Sequence, residues 1–146
     1  MSENRSSSPD RTAIEGWFRS LEQAVRAVDY ASGRELFAPD VIAFGTRAQV
    51  VSGLDNLQAN QWSGVWPTIR DFTYDLQQLR WGWSGAAGWA VVTWTSTGFR
   101  ESGEPFPRPG RATVLFALRD GRLLATHTHF SLAPGTPQRS FGIRSS

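Results

Sequence analysis

GRATVLFALRDGRLLATHTHFSL, residues 110–132, reads as two strands folded back on each other. Gly110 to Leu118 and Arg122 to Leu132 are rich in β-branched, aromatic and aliphatic residues, and Arg119-Asp120-Gly121 between them is turn chemistry. A type I turn with Gly121 in the left-handed bulge position suits that tripeptide. Working back towards the N-terminus, Ile69 to Trp83 and Ala87 to Phe99 are also strands, joined by a tight turn at Ser84-Gly85. Glu101 to Pro107 is the longer connection into Gly110. Four long strands in succession form an antiparallel meander. Both of its faces carry apolar side chains, because Val92 and Trp94 alternate with Trp89 and Val91. A second apolar face on an antiparallel sheet needs a second cover, so a homodimer, or a larger assembly, is expected.

Before Pro67 the period is helical. Thr12 and Glu15 form a capping box, and Ile14, Trp17, Phe18, Leu21, Val25 and Val28 then recur on one broad face. A shorter helix is expected from Ala31 to Phe37, stopping ahead of Pro39, which disfavours the α conformation at Ala38. Val41 to Phe44 and Gln49 to Ser52 read as short strands. Leu54, Leu57, Gln61, Trp62 and Val65 then space a third helix that ends before Pro67. Three helices followed by a meander is an α+β order, with the helices packed on one face of a curled sheet. Residues 1–11 read as a disordered polar tail, 12–137 as the single folded domain, and 138–146 as a C-terminal tail.

Composition narrows the partners. All 15 basic residues are Arg, yet the net charge is only +2 and the arginines are scattered, so no stripe for a phosphate backbone forms and nucleic-acid binding is not expected. Absence of Cys removes disulfides and thiolate metal sites. The polar N-terminus lacks the apolar stretch of a signal peptide, and the longest apolar run, about Val114 to Leu118, is too short for a bilayer. No membrane contact and a cytoplasmic location are therefore the expectation. The sequence has no phosphate-binding glycine loop, no nucleophilic serine elbow and no metal-binding His-Glu-x-x-His helix, so no cofactor is expected. Seven Trp and nine Phe fill a core or line a cavity for a flat ligand.

Arg119-Asp120-Gly121 leading into His127-Thr128-His129-Phe130-Ser131, with Pro134 following, resembles the end of SnoaL-like domains related to the association domain of calcium/calmodulin-dependent protein kinase II. Leu36-Phe37-Ala38-Pro39-Asp40 and Val51-Ser52-Gly53-Leu54 resemble earlier passages of the same nuclear transport factor 2-like superfamily, in the right order. The similarity spans Ala13 to Pro137. It implies a cone: a long helix closing over a strongly curved antiparallel sheet, leaving a blind pocket, in a protein that dimerises. Relatives include cyclases, isomerases, dehydratases and non-catalytic assembly modules, so fold alone does not give the activity.

Residue-by-residue comparison tests particular chemistries. The resemblance puts Leu21 where a ketosteroid isomerase has its Tyr and Gly45 where it has its base, and residues 110–118 offer no second carboxylate. That reaction is rejected. The three pocket arginines of the kinase association domain correspond here to Trp94, Val114 and Phe130, which implies a markedly less polar pocket and a small apolar or aromatic ligand. The candidate pocket residues are Trp17, Leu21, Tyr30, Phe44, Trp62, Trp94, Val114, Phe116, Thr128 and Phe130. Catalysis stays open. A cofactor-free cyclase, isomerase or dehydratase would use Tyr30, a His or a carboxylate, and an oligomerisation module would use the sheet face instead.

His127 and His129, at i and i+2, share one face of a strand. If Trp94, Val114 and Phe130 face the pocket, Thr126 and Thr128 join them and both histidines point to the subunit contact. A metal would need a third ligand with no obvious claimant, so no metal site is expected. Asp29, Asp40 and Asp120 have capping or turn roles, and Asp71 and Asp75 lie on the wetter face opposite Phe72 and Tyr74.

Overall fold

Asp10, not the expected pair Thr12 and Glu15, opens the first helix. A computed structural model describes residues 8–142. In it α1 spans Arg11–Ala27, and the Asp10 carboxylate accepts from the Ala13 N–H at 3.0 Å. An Asp at this position answers an orphan N–H and also meets the positive end of the helix dipole. Glu15 is drawn off to Arg11, at 2.7 Å. Most of the expected N-terminal tail, and residues 143–146 of the C-terminal one, lie outside the described residues.

The second helix, α2, is only Tyr30–Arg34, with Asp29 as its cap. The chain is extended by Phe37, so β1 spans Phe37–Phe44 and contains Pro39. Proline is tolerated there because the pairing of β1 with its neighbour is interrupted between Phe37 and Ile42, and no ladder bond is lost. A two-residue strand β2 (Val51–Ser52) pairs back on β1. Leu54 to Thr68 is helical throughout but not uniform. It passes from α3 (Leu54–Leu57) through a π turn (Gln58–Trp62) and α4 (Ser63–Val65) to a 3₁₀ turn (Trp66–Thr68). That last turn includes Pro67 instead of ending before it.

The meander is built from β3 (Arg70–Ser84), β4 (Ala87–Phe99), β6 (Gly110–Arg119) and β7 (Arg122–Leu132). The connection expected as a plain loop contains β5 (Pro105–Pro107), which pairs with the end of β4. Arg119 pairs with Arg122, leaving a two-residue turn. Asp120 (φ 52°) and Gly121 (φ 76°) are both left-handed. This is the geometry of a type I′ turn, whose twist suits the strands better than the expected type I with bulge.

The strand order is β2-β1-β7-β6-β4-β3, and β1 runs parallel to β7, so the sheet is not wholly antiparallel. Register breaks between Asp75 and Arg80, and between Leu115 and Phe116, bend it. The second break overturns one expectation. Leu115 pairs with His127 but Phe116 pairs with Ala125, so Thr126 is the extra residue and its hydroxyl turns to the Leu115 carbonyl. Ala125, fully buried, takes the inner position.

The apolar face of α1 (Ile14, Trp17, Phe18, Leu21, Val25) closes over the concave side of the sheet. Its polar side chains reach β3, the edge strand. Arg26 donates to the Phe72 carbonyl at 2.8 Å, Glu22 accepts from the Tyr74 N–H at 2.9 Å, and Arg11 donates to the Leu76 carbonyl at 2.7 Å. The C-terminal segment, expected as a tail, is fixed through Gly142. Ser140 is buried, accepting from the Phe99 N–H and donating to the Thr68 carbonyl, and the Phe141 N–H bonds the Phe99 carbonyl. Among the described residues no helix is long and apolar enough to cross a membrane.

Candidate ligand site in the cone

A cavity of about 60 Å³ lies between α1, the Leu54–Thr68 helical segment and the inner face of the sheet. This is several times the ~10–15 Å³ that one water requires. Leu21 and Val25 of α1 line it from above, Trp62 and Trp66 from one side. Phe72, Tyr74 and Trp94 form its floor. Tyr74 and Trp94 are directly opposed on β3 and β4, so their side chains stand next to each other on the same face. Phe72 and Phe130 flank the Trp94 ring at centroid distances of 5.4 and 6.4 Å.

Three polar atoms interrupt these rings. Tyr74 Oη, Trp94 Nε1 and Arg108 Nε are buried without a hydrogen-bond partner among the described residues. Arg108 is 3% exposed, with its Cζ 5.7 Å from the Trp94 ring centroid. Its Nη2 donates to Thr46 Oγ1 at 3.2 Å, and no carboxylate pairs with it among the described residues. Burial lowers its pKa to about 10, so it stays charged at neutral pH. Burial, reinforced by the charge of Glu22, holds the Tyr74 phenol well above its usual range, so it remains a neutral donor.

The mouth is held by Gln61, which the π turn brings inward. Its Oε1 accepts from the Arg47 and Ala48 N–H groups at 2.9 and 2.7 Å, and its Nε2 donates to Thr46 Oγ1 at 3.0 Å. Thr46 therefore joins Gln61 to Arg108. Gly45 is required beside this amide, because a Cβ there would collide with the Gln61 side chain.

The profile of the SnoaL-like domain matches residues 15–126. The chain belongs to the SnoaL-like family. Solved structures carry the same fold. A nuclear transport factor 2-like superfamily protein from Salmonella enterica aligns with TM-score 0.73 and 19% identity, over 87% of this chain and 93% of that one. A nuclear transport factor 2-like protein of unknown function from Pseudomonas putida aligns with TM-score 0.70 and 23% identity, over 93% and 96%. The association domain of calcium/calmodulin-dependent protein kinase II from C. elegans aligns with TM-score 0.66 and 14% identity, over 83% and 94%. No curated protein matches the sequence.

This SnoaL-like cone brings together five of the ten candidate pocket residues, Leu21, Trp62, Trp94, Thr128 and Phe130; Phe44 borders the cavity beside Gly45, but its ring lies on the outer sheet face against both histidines. The other four stand elsewhere. Trp17 is core, its ring edge-on to Phe116 at 5.0 Å and its Nε1 donating to the Leu36 carbonyl at 2.9 Å. Val114 and Phe116 are fully buried in the core and do not line the cavity. Tyr30 packs against Trp66, centroids 5.4 Å apart, also off the lining.

Arg108 adds one cation to a lining that was expected to be markedly less polar and that is otherwise mostly apolar. It lies between Pro107 and Pro109, just beyond β5, in a stretch with no strand periodicity to reveal which way it points. Tyr74 was legible as buried from its alternation with Asp75, but its cavity role was not. Gln61 fell on the helical stripe and gave no further signal.

The histidines face outward, across the sheet from the cavity. Ile42, His127, Leu115 and Trp89 form one row through the registered strands, and Phe44, His129, Thr113 and Val91 the next. His127 Nδ1 donates to the Ile42 carbonyl at 2.7 Å, and Phe44 sits edge-on to both imidazoles at 5.4 and 5.2 Å. Ile42, Trp89 and Leu115 are each more than 40% exposed, a large apolar area to leave in water.

Proposed function

We propose that this SnoaL-like protein binds a small, mostly apolar or aromatic molecule that carries at least one hydrogen-bond acceptor. The observation behind this reading is the convergence of three unpartnered donors on one aromatic cavity. A buried polar group left unpaired costs about 1–3 kcal/mol, so three of them point to an occupant that supplies acceptors. Among the described residues the lining offers donors but neither carboxylate nor imidazole. Recognition of an acceptor is therefore better supported than proton abstraction by a side chain.

The row Ile42-His127-Leu115-Trp89 supports self-association, with two copies placing these sheet faces together. Native mass spectrometry of gently purified protein tests both parts. The expected result is a dimer retaining a discrete small mass. A ligand-free ring larger than a dimer would favour an assembly module, with the cavity serving only as core.

A further inference from the structure

A second depression adjoins the inner cavity. An open cleft of about 220 Å³ shares Thr46, Val65 and Arg108 with the cavity mouth and adds Arg47 and Arg139. Three guanidinium groups line it and, among the described residues, no carboxylate does. None of the three takes part in a salt bridge among the described residues. Two of them are held in place: Arg47 lies against Gly64, where a Cβ would stand 2.6 Å from its Nε, and Arg139 lies 4.3 Å from the Phe141 ring centroid. Arg108, between cavity and cleft, is almost wholly buried and keeps an unused Nε–H.

A buried cation with no counter-charge destabilises the fold unless something neutralises it. Among the described residues nothing supplies that counter-charge, and a ligand can bring it. We propose that cavity and cleft are one site for a small aromatic or alicyclic carboxylate, with its ring against Trp94 and its carboxylate on Arg108 at the mouth. Arg47 and Arg139 contribute the field that draws the anion in, while Arg108 makes the direct bond. This inference rests on the cavity being a ligand site, and it narrows the acceptor of that reading to an anion.

The test compares two probes of equal shape on the full chain, 4-ethylbenzoate and the neutral 4-ethylbenzamide, by calorimetry. The benzoate is expected to bind at least about tenfold more tightly, the effect of one charge-assisted hydrogen bond. In Arg108→Met that preference should disappear while the benzamide affinity persists, and the variant should melt no lower than the unaltered protein, because it no longer buries an unpaired charge. Equal affinity for the two probes in the unaltered protein overturns the carboxylate assignment and leaves the cavity reading standing. Binding of neither overturns both. Should Arg108→Met fail to fold, the exposed pair Arg47→Ala with Arg139→Ala serves instead. A smaller and less salt-sensitive benzoate advantage is expected, and an unchanged affinity with unchanged salt dependence overturns the proposal.

Discussion

The two faces of this sheet are made by alternate residues of the same strands, yet they lack opposite things. Trp94 and Tyr74 look into an aromatic cavity that holds hydrogen-bond donors and wants acceptors. Trp89 and Leu115, one residue away in alternation from inner positions, look out to water and want cover. The inner deficit is polar and small, which suits a molecule of few atoms. The outer deficit is apolar and broad, which suits another protein surface. Period-two alternation thus separates two recognition problems without any change of backbone.

The strongest way to break this contrast is Trp94→Arg. It sets a second guanidinium against Arg108 in a buried space, and unfolding free energy should fall by about 3–5 kcal/mol, as for an uncompensated buried charge. Denaturant melts would report it, and an unchanged midpoint would mean that a charge at this position reaches water. Gln61→Leu comes next. It strips the acceptor from the Arg47 and Ala48 N–H groups, costing about 1–3 kcal/mol, and should raise hydrogen exchange selectively in residues 45–48.

Tyr74→Phe sharpens the comparison more finely. Removing an unpaired hydroxyl should leave the free protein within about 1 kcal/mol of its starting stability, while affinity for an acceptor-bearing ligand drops about tenfold. A fall in stability without a fall in affinity would make Tyr74 structural. Leu115→Glu probes the outer face and should be smallest in monomer stability, within about 0.5 kcal/mol. Its effect should appear in oligomeric state by light scattering, with ligand affinity untouched. His127→Ala together with His129→Ala should act in the same direction, and a larger effect on ligand affinity than on assembly would reverse the faces.

The elements that sequence conveyed best were those with sustained period. Residues 87–99 and 122–132 are strands to the residue, because alternation and turn chemistry agree there. The helical stripe of α1 was equally plain, although its cap moved from Thr12 to Asp10. What escaped notice was set by contacts distant in sequence. Pro39 sits inside a strand because β7, nearly ninety positions later, leaves it unpaired. Thr126 left the inner face because a bulge at Leu115 shifted the register, and no local pattern announces that. Arg108 was missed for a related reason. A lone arginine between prolines reads as exposed loop until β5 pairs with β4 and turns it inward.

The attachment of α1 to β3 has a kinetic side. Arg11, Glu22 and Arg26 occupy backbone groups of the edge strand from positions 46 to 65 residues away. Contacts so distant form late, after the loop between them has closed. Until then β3 offers an open edge to any other chain, the situation that leads to strand addition and aggregation. Refolding yield should therefore depend steeply on protein concentration, and the helix made first would complete the fold last.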